Sequence, residues 1–324
     1  YFGEIVKTLN KDASPGLGAF SSYSTIGDCL GWDGAAYTRL SELAMLKQRV
    51  ESRLRLLTKE FSAVRAWAHA RARGYDFEDS RGPAASREEE QNQAIMVDPL
   101  KVFVKNEPHT AKKLSEGRYR LITCVSLVDQ MVDRVLMYPW LFLEVREVAR
   151  LNSKNGWAPL PEGYRLLRKV FPADRSLAID KTAWDWTMPA WVVAAYIEMR
   201  LSGCKGLDDD YANALWSRMY FLLGPGALYR LPSGEVVRQK VFGLQKSGGL
   251  PTLSLNGFAQ RSQTLLALIR LGWKERPVEW DLGDDVLMNV DWNDEKVRLF
   301  VDELGKTGCL VKHALRSRAR RLQI

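Results

Sequence analysis

At 324 residues, 46% of them hydrophobic, the chain exceeds one ordinary core and has enough apolar side chains for two or more packed subdomains. A formal net charge of +8 favours a polyanionic partner. No run of eighteen apolar residues is present, which argues against a membrane span in this chain. Cys29, Cys124, Cys204 and Cys309 are too scattered for a metal knuckle or a disulfide framework and suit a reducing compartment, and the isolated His69, His109 and His313 fit no zinc pattern.

In chain order, Ser14-Pro15-Gly16 forms a rigid turn in a Ser- and Gly-rich stretch that runs to about Gly34. Leu43, Leu46, Val50, Leu54, Leu57, Phe61, Val64 and Trp67 recur at spacings of three and four, with Lys47, Arg53, Lys59 and Glu60 elsewhere on the wheel. This predicts a long helix packed on the body of the same protein, since the seam is too short for a dimerising coil. Asp79 to Gln91 reads as an exposed loop. Val102 to Val104 and Leu121-Ile122 are short strands bracketing a basic loop with Lys105, Lys112, Lys113, Arg118 and Arg120. Such a loop suits a triphosphate, where Lys supplies point charge and Arg a bidentate fork; a solvated basic hairpin is the alternative. Val125 to Leu136 reads as a helix with Arg134 on its polar face.

Three stretches carry chemistry. Leu177 to Ile179 is a short buried strand with Asp180 at its end, and Asp185 sits five residues later, ahead of a helix that Pro189 can open. Asp185 suits a ligand hydroxyl or a helix N-terminal charge. In Ser247-Gly248-Gly249-Leu250-Pro251-Thr252, a flexible Gly pair precedes a helix with Pro251 near its start and Gly272 past its end, so Thr252 and Asn256 share a face. Val278, Trp280 and Leu282 alternate on one side of a strand that turns at Gly283 and returns through Val286 to Val290. Asp284 and Asp285 sit at its tip. Two carboxylates about 4 Å apart repel by roughly 4 kcal/mol at an effective dielectric near 20, a cost that a divalent cation reverses.

Ser247-Gly248-x-x-x-Thr252-x-x-x-Asn256, preceded by Asp180-x-x-x-x-Asp185 and followed by Gly283-Asp284-Asp285, resembles the palm motifs of positive-strand RNA virus RNA-dependent RNA polymerases. Phe103-Val104-Lys105-Asn106-Glu107-Pro108-His109, Glu116 to Ile122 and Ser126 to Gln130 resemble the sobemovirus and polerovirus members, over about residues 14 to 313. The resemblance implies an α+β right-hand polymerase, with an antiparallel palm sheet, encircling fingers and a thumb largely absent from this chain. It divides the chain into fingers and N-terminal helices at 1–175, palm at 176–204, a fingers insertion at 205–240, palm again at 241–312, and a basic tail or start of thumb at 313–324 with Arg316, Arg318, Arg320 and Arg321.

By position, the resemblance makes Asp180, Asp284 and Asp285 the ligands of two Mg²⁺ ions, for which Mn²⁺ can substitute. Asp185 and Asn256 would read the ribose 2′-hydroxyl in a pocket shaped by Ser247 and Thr252. Lys105, Lys113, Arg118 and Arg120 would cover the triphosphate. Ser14, Pro15 and Gly16, with Gly248 and Gly249, would guide the template, and Lys312 would protonate pyrophosphate. The expected partners are RNA template, nascent RNA and NTPs, with a protein primer and other viral replication proteins beside them, in host cytoplasmic replication complexes. A non-catalytic RNA-binding palm and a reverse transcriptase are the rival readings. Met288 departs from the pattern, standing where plant members usually carry a further acidic residue.

Overall fold

The computed structural model describes residues 1–59, 64, 95–108 and 110–316. His69, His109, the Asp79–Gln91 stretch and the basic residues Arg318, Arg320 and Arg321 lie outside them, as does the side chain of Lys113. In chain order the elements are α1 (Phe2–Val6), α2 (Ile26–Leu30), α3 (Leu40–Leu57), β1 (Leu100–Val104), α4 (Ala111–Ser115), β2 (Leu121–Cys124), α5 (Leu127–Arg146), α6 (Glu162–Val170) and β3 (Ser176–Lys181). Then follow α7 (Trp184–Thr187), α8 (Ala190–Ser202), α9 (Asp209–Leu223), β4 (Leu228–Arg230), β5 (Val236–Arg238), α10 (Thr252–Arg270), β6 (Val278–Leu282), β7 (Asp285–Asn289), α11 (Asp294–Gly305) and β8 (Val311–Arg316). Among the described residues, no helix is long and apolar enough to cross a membrane.

The chain forms two compact units, one of Tyr1–Tyr138 with Ile197–Leu250, the other of Pro139–Tyr196 with Pro251–Ile324. In the first, a sheet of order β2-β1-β4-β5 pairs β1 antiparallel to β2 and parallel to β4. The Ser14-Pro15-Gly16 turn sits on the start of α5: the Pro15 carbonyl accepts from the Leu127 N–H at 2.8 Å. Gly16 takes φ +70° there, where a Cβ would lie 2.8 Å from the Ser126 Cα.

The buried face of α3 consists of Leu46, Val50, Arg53 and Leu57. Arg53 was expected on the polar side but falls on the apolar stripe, because it donates to Asp98 at 3.0 Å and Asp129 at 2.8 Å. The later part of the expected helix, from Glu60, lies largely outside the described residues. Nearby, Arg218 on α9 is fully buried and grips the buried Asp133 of α5 with both Nε and Nη2. Arg134, also expected on a polar face, is part-buried and donates to Thr8 at 3.1 Å. These helices thus meet through paired charges as well as apolar side chains.

The second unit is built on an antiparallel sheet of order β6-β7-β3-β8. Pro251 caps α10 and Gly272 follows its end at φ +68°, so the helix has the expected bounds. The β6–β7 hairpin also forms where the alternation put it, with Gly283 at φ +65° in a two-residue turn. Its buried face is the surprise. Val278 and Leu282 are half exposed and Trp280 packs against Trp157 and Phe171, while Glu279 and Asp281 are each 1% exposed.

Candidate active site

The acidic residues converge because of strand register. β3 runs antiparallel to β7 with Ile179 opposite Val286, so one step further along Asp180 and Asp285 face each other across adjacent strands, beside Asp284 in the turn. Asp284 and Asp285 are exposed. Desolvation, then the neighbouring Asp284 and Asp180 charges, push the Asp285 carboxyl above its ordinary range. Mutually repelling oxygen donors of this kind fit Mg²⁺, which prefers hard oxygen ligands. No group of three or more His, Cys, Asp or Glu among the described residues is gathered closely enough to hold an ion alone.

On the other side of β3, the pairing with β8 shifts: Asp180 is opposite His313 but Lys181 is opposite Val311. Lys312 is therefore the bulged residue, and a bulge re-aims its side chain. Its Nζ reaches Asp180 at 2.9 Å. A cavity of about 330 Å³ borders this face of the sheet, lined by Asp180, Asp285 and His313 together with Trp157, Trp280 and Leu287.

Under the hairpin lies a buried polar cluster. Lys181, 4% exposed, donates to Gln260 and to Gln263, the latter at 2.7 Å, and stands 4.9 Å over the Trp184 ring. Burial lowers the pKa of its ammonium, opposed by Cys309, Glu279, Asp281 and Asp284. Arg261 pairs with Glu279 at 3.1 Å. Burial, then Glu279, hold the Asp281 carboxyl well above the usual range. Neither Asp281 oxygen has a conventional donor, and two adjacent buried carboxyls pair only by sharing a proton. The sequence reading missed Lys181, Gln260, Gln263, Glu279 and Asp281. Gln260 and Gln263 continue the Thr252–Asn256 stripe at helical spacing, which was the available signal.

The Asp180–Asp185 loop is fastened along its length. The Thr182 N–H donates to Leu310 O at 2.7 Å, and Ala183 is the one non-Gly residue at positive φ (+47°) among the described residues. Trp184 is 2% exposed and donates its indole N–H to Asn256 Oδ1 at 2.9 Å. Asp185 is exposed in the first turn of α7. Thr252 and Asn256 belong to this second unit, partly exposed and buried respectively.

The remaining expected residues lie in the first unit. Ser247 accepts from the Thr123 N–H at 3.3 Å, and Gly248 allows the approach, since a Cβ there would lie 2.1 Å from the Thr123 carbonyl oxygen. Gly249 closes the turn by donating to Lys246 O at 2.8 Å. Lys105 pairs with Glu107 at 2.6 Å, Arg118 with Glu116 and Arg120 with Glu107, so the basic loop carries its own counter-charges. All four cysteines are free thiols.

Residues 31–157 match the family described as viral RNA-directed RNA-polymerase. Southern bean mosaic virus replicase polyprotein P2AB is 34% identical over 169 residues, which is 50% of this chain and 17% of that protein. Potato leafroll virus protein P1-P2 is 31% identical over 251 residues, 71% of this chain and 22% of that one. The chain is similar to the viral RNA-directed RNA polymerases of the sobemovirus and polerovirus replicases. The RNA-directed RNA polymerase of Mushroom bacilliform virus is 30% identical over 53% of this chain and 42% of its own length. The chain thus spans less than half of each of these polymerase relatives. By fold it superposes on a Sicinivirus 3Dpol RNA-dependent RNA polymerase with a TM-score of 0.63 at 14% identity, covering 96% of this chain and 56% of that one. The α+β polymerase-like fold therefore extends well beyond the family-matched segment, which ends before β3.

Proposed function

We propose that the chain is the polymerase portion of a viral replicase, catalysing template-directed transfer of nucleotides from NTPs to an RNA 3′-hydroxyl during genome replication and transcription. In this reading the second unit is the palm, the first contributes the fingers, and replication takes place in complexes in the host cytoplasm. The carrying observation is the register that sets Asp180 opposite Asp285 beside Asp284, three like charges at the end of one sheet. Asp180, Asp284 and Asp285 would hold the two Mg²⁺ ions, which when bound lower the pKa of the 3′-hydroxyl and neutralise charge on the leaving pyrophosphate.

The chain's own groups do the rest. Lys105, Arg118 and Arg120 exchange Glu107 and Glu116 for triphosphate oxygens, a stronger acceptor set, and Lys113 joins them over the triphosphate. Asp185 and Asn256 read the ribose with Thr252 beside them, and Ser247 is a further nucleotide-binding residue. A hydrogen-bonding site of this type rejects a ligand that lacks the hydroxyl, because its polar groups are then left unpaired. The Ser14–Gly16 turn and Gly248-Gly249 guide template RNA. Lys312 is half exposed and, among the described residues, pairs with Asp180, so it can leave that carboxylate and deliver a proton to pyrophosphate. The partners are RNA template, nascent RNA and NTPs, with a protein primer and other replicase proteins supplied by the virus.

The test is extension of a labelled RNA primer on an RNA template with NTPs and Mg²⁺, comparing the parent with a variant carrying both Asp284→Ala and Asp285→Ala. Extension by the parent alone is expected. RNA binding by both with extension by neither overturns the proposal in favour of an RNA-holding protein, and extension with dNTPs in preference to NTPs overturns it in favour of a reverse transcriptase.

A further inference from the structure

Asn256 sits in a pocket whose other polar wall is an indole. Trp184 Nε1 lies 2.9 Å from Asn256 Oδ1. An indole N–H donates and never accepts, so chemistry alone settles which end of the planar amide faces it: the carbonyl oxygen. The NH₂ end is turned away from Trp184. Both residues are nearly fully buried, at 2% and 4% exposure, where an unpaired amide oxygen is costly and the orientation is therefore well defined.

The indole is itself held from several sides. Lys181 lies over its ring at 4.9 Å, and that ammonium is anchored by Gln260 and Gln263, one and two turns beyond Asn256 on the same helix. Thr187 Oγ1 donates to Thr182 O at 3.0 Å, bracing the loop that carries Trp184, and Ala183 keeps its left-handed conformation beside it. A strained backbone persists where its surroundings over-determine it.

From this geometry we infer that Trp184 is a positioning residue for ribose selection, fixing the Asn256 amide so that its NH₂ end is the one offered to the nucleotide. This rests on the polymerase reading above and adds a direction to it. Asn256 then reads the 2′-oxygen as an acceptor, and the 2′-hydroxyl proton goes to the Asp185 carboxylate, which can only accept. Both halves of the hydroxyl are used, and neither half is present in a 2′-deoxynucleotide.

The experiment measures kcat/KM for single-nucleotide extension with an NTP, the matching dNTP and the matching 2′-O-methyl NTP, whose 2′-oxygen accepts but has no proton to donate. Trp184→Phe keeps the ring and removes the N–H, so the indole no longer dictates which end of the amide faces it. The expected result is a drop of about tenfold in the NTP-to-dNTP ratio, as for loss of one oriented hydrogen bond, with kcat for the NTP nearly kept. Asn256→Asp still accepts from the indole but has no NH₂, and it should lower the ratio at least as far. Combining the two changes should lower it no further than Asn256→Asp alone.

A purely structural role for Trp184 lowers incorporation of all three nucleotides together and leaves the ratio unmoved, which overturns the inference. So does a Trp184→Phe protein that discriminates like the parent while Asn256→Asp does not. In the parent, Asp185→Asn should spare the 2′-O-methyl substrate relative to the NTP; equal losses refute the assignment of the proton. A parent that extends RNA with no nucleotide refutes the polymerase reading and the inference with it.

Discussion

Replacing Asp285 with Asn should make the metal-free protein more stable and remove its stabilisation by Mn²⁺. Asp285 stands one register step beyond the Ile179–Val286 pair, opposite Asp180, and side chains so placed on neighbouring strands are roughly 5 Å apart. At an effective dielectric near 20, two charges at that distance repel by about 3 kcal/mol, and Asp284 adds a second repulsion. Both effects are much reduced here, because Asp285 is exposed and Asp180 already has Lys312 at 2.9 Å. After screening, about 1 kcal/mol remains to be relieved. In a chain of this size that is a rise of roughly 2 °C in the thermal midpoint. Mn²⁺ at about a hundred times its Kd should add roughly 2.7 kcal/mol to the parent and almost nothing to the variant. Differential scanning calorimetry with and without the ion reads both effects in the absence of RNA or NTP. A variant that melts below the parent without metal, or gains as much from Mn²⁺, refutes the account of the hairpin as a cation site.

Arg218→Met should cost about 3–5 kcal/mol in urea unfolding, since it strands the fully buried Asp133 without either of its two guanidinium bonds; a loss under about 1 kcal/mol would mean that Asp133 finds another partner. Asp281 binds a proton more tightly folded than unfolded, so stability falls as pH rises from the ordinary carboxylate range through its raised value, and is unaffected below that range. Asp281→Asn mimics the protonated form and should flatten that fall in unfolding curves taken across the window; an unchanged slope places the titration elsewhere. Gly248→Ala forces a Cβ to within 2.1 Å of the Thr123 carbonyl, so the Ser247 turn must move off β2. Hydrogen exchange at the Thr123 amide, which Ser247 now protects, should speed up by at least about tenfold.

Local pattern made the hairpin legible, and long-range pairing hid its lining. Alternation at period two and one Gly at the turn fixed β6, β7 and their tip without outside help. The alternation left open which face is enclosed. Val278, Trp280 and Leu282 are apolar, yet Glu279 and Asp281 are the ones enclosed, since Arg261 comes from α10 and Lys181 from β3 to meet them. Arg53 depends on distant partners in the same way. It occupies a stripe position on α3, but charge was taken to mean solvent, and its partners lie 45 and 76 residues further along. The bulge at Lys312 had no local signature either, because it exists only relative to the register of β3.

The two lysines near the tip carry the same charge but opposite physics. Lys312 touches Asp180 from outside, half exposed, where salt screens it and a phosphate can outcompete it. Lys181 acts from beneath, enclosed and tied to Gln260 and Gln263, and the Asp284 charge is among those that favour its ionised form. With both glutamine oxygens as its acceptors, it makes no hydrogen bond to a tip carboxylate. It therefore offsets their repulsion through space without occupying the oxygens that a cation would need. A fixed charge below and an exchangeable one above each offset part of the repulsion at the tip, the first through space and the second by direct contact with Asp180.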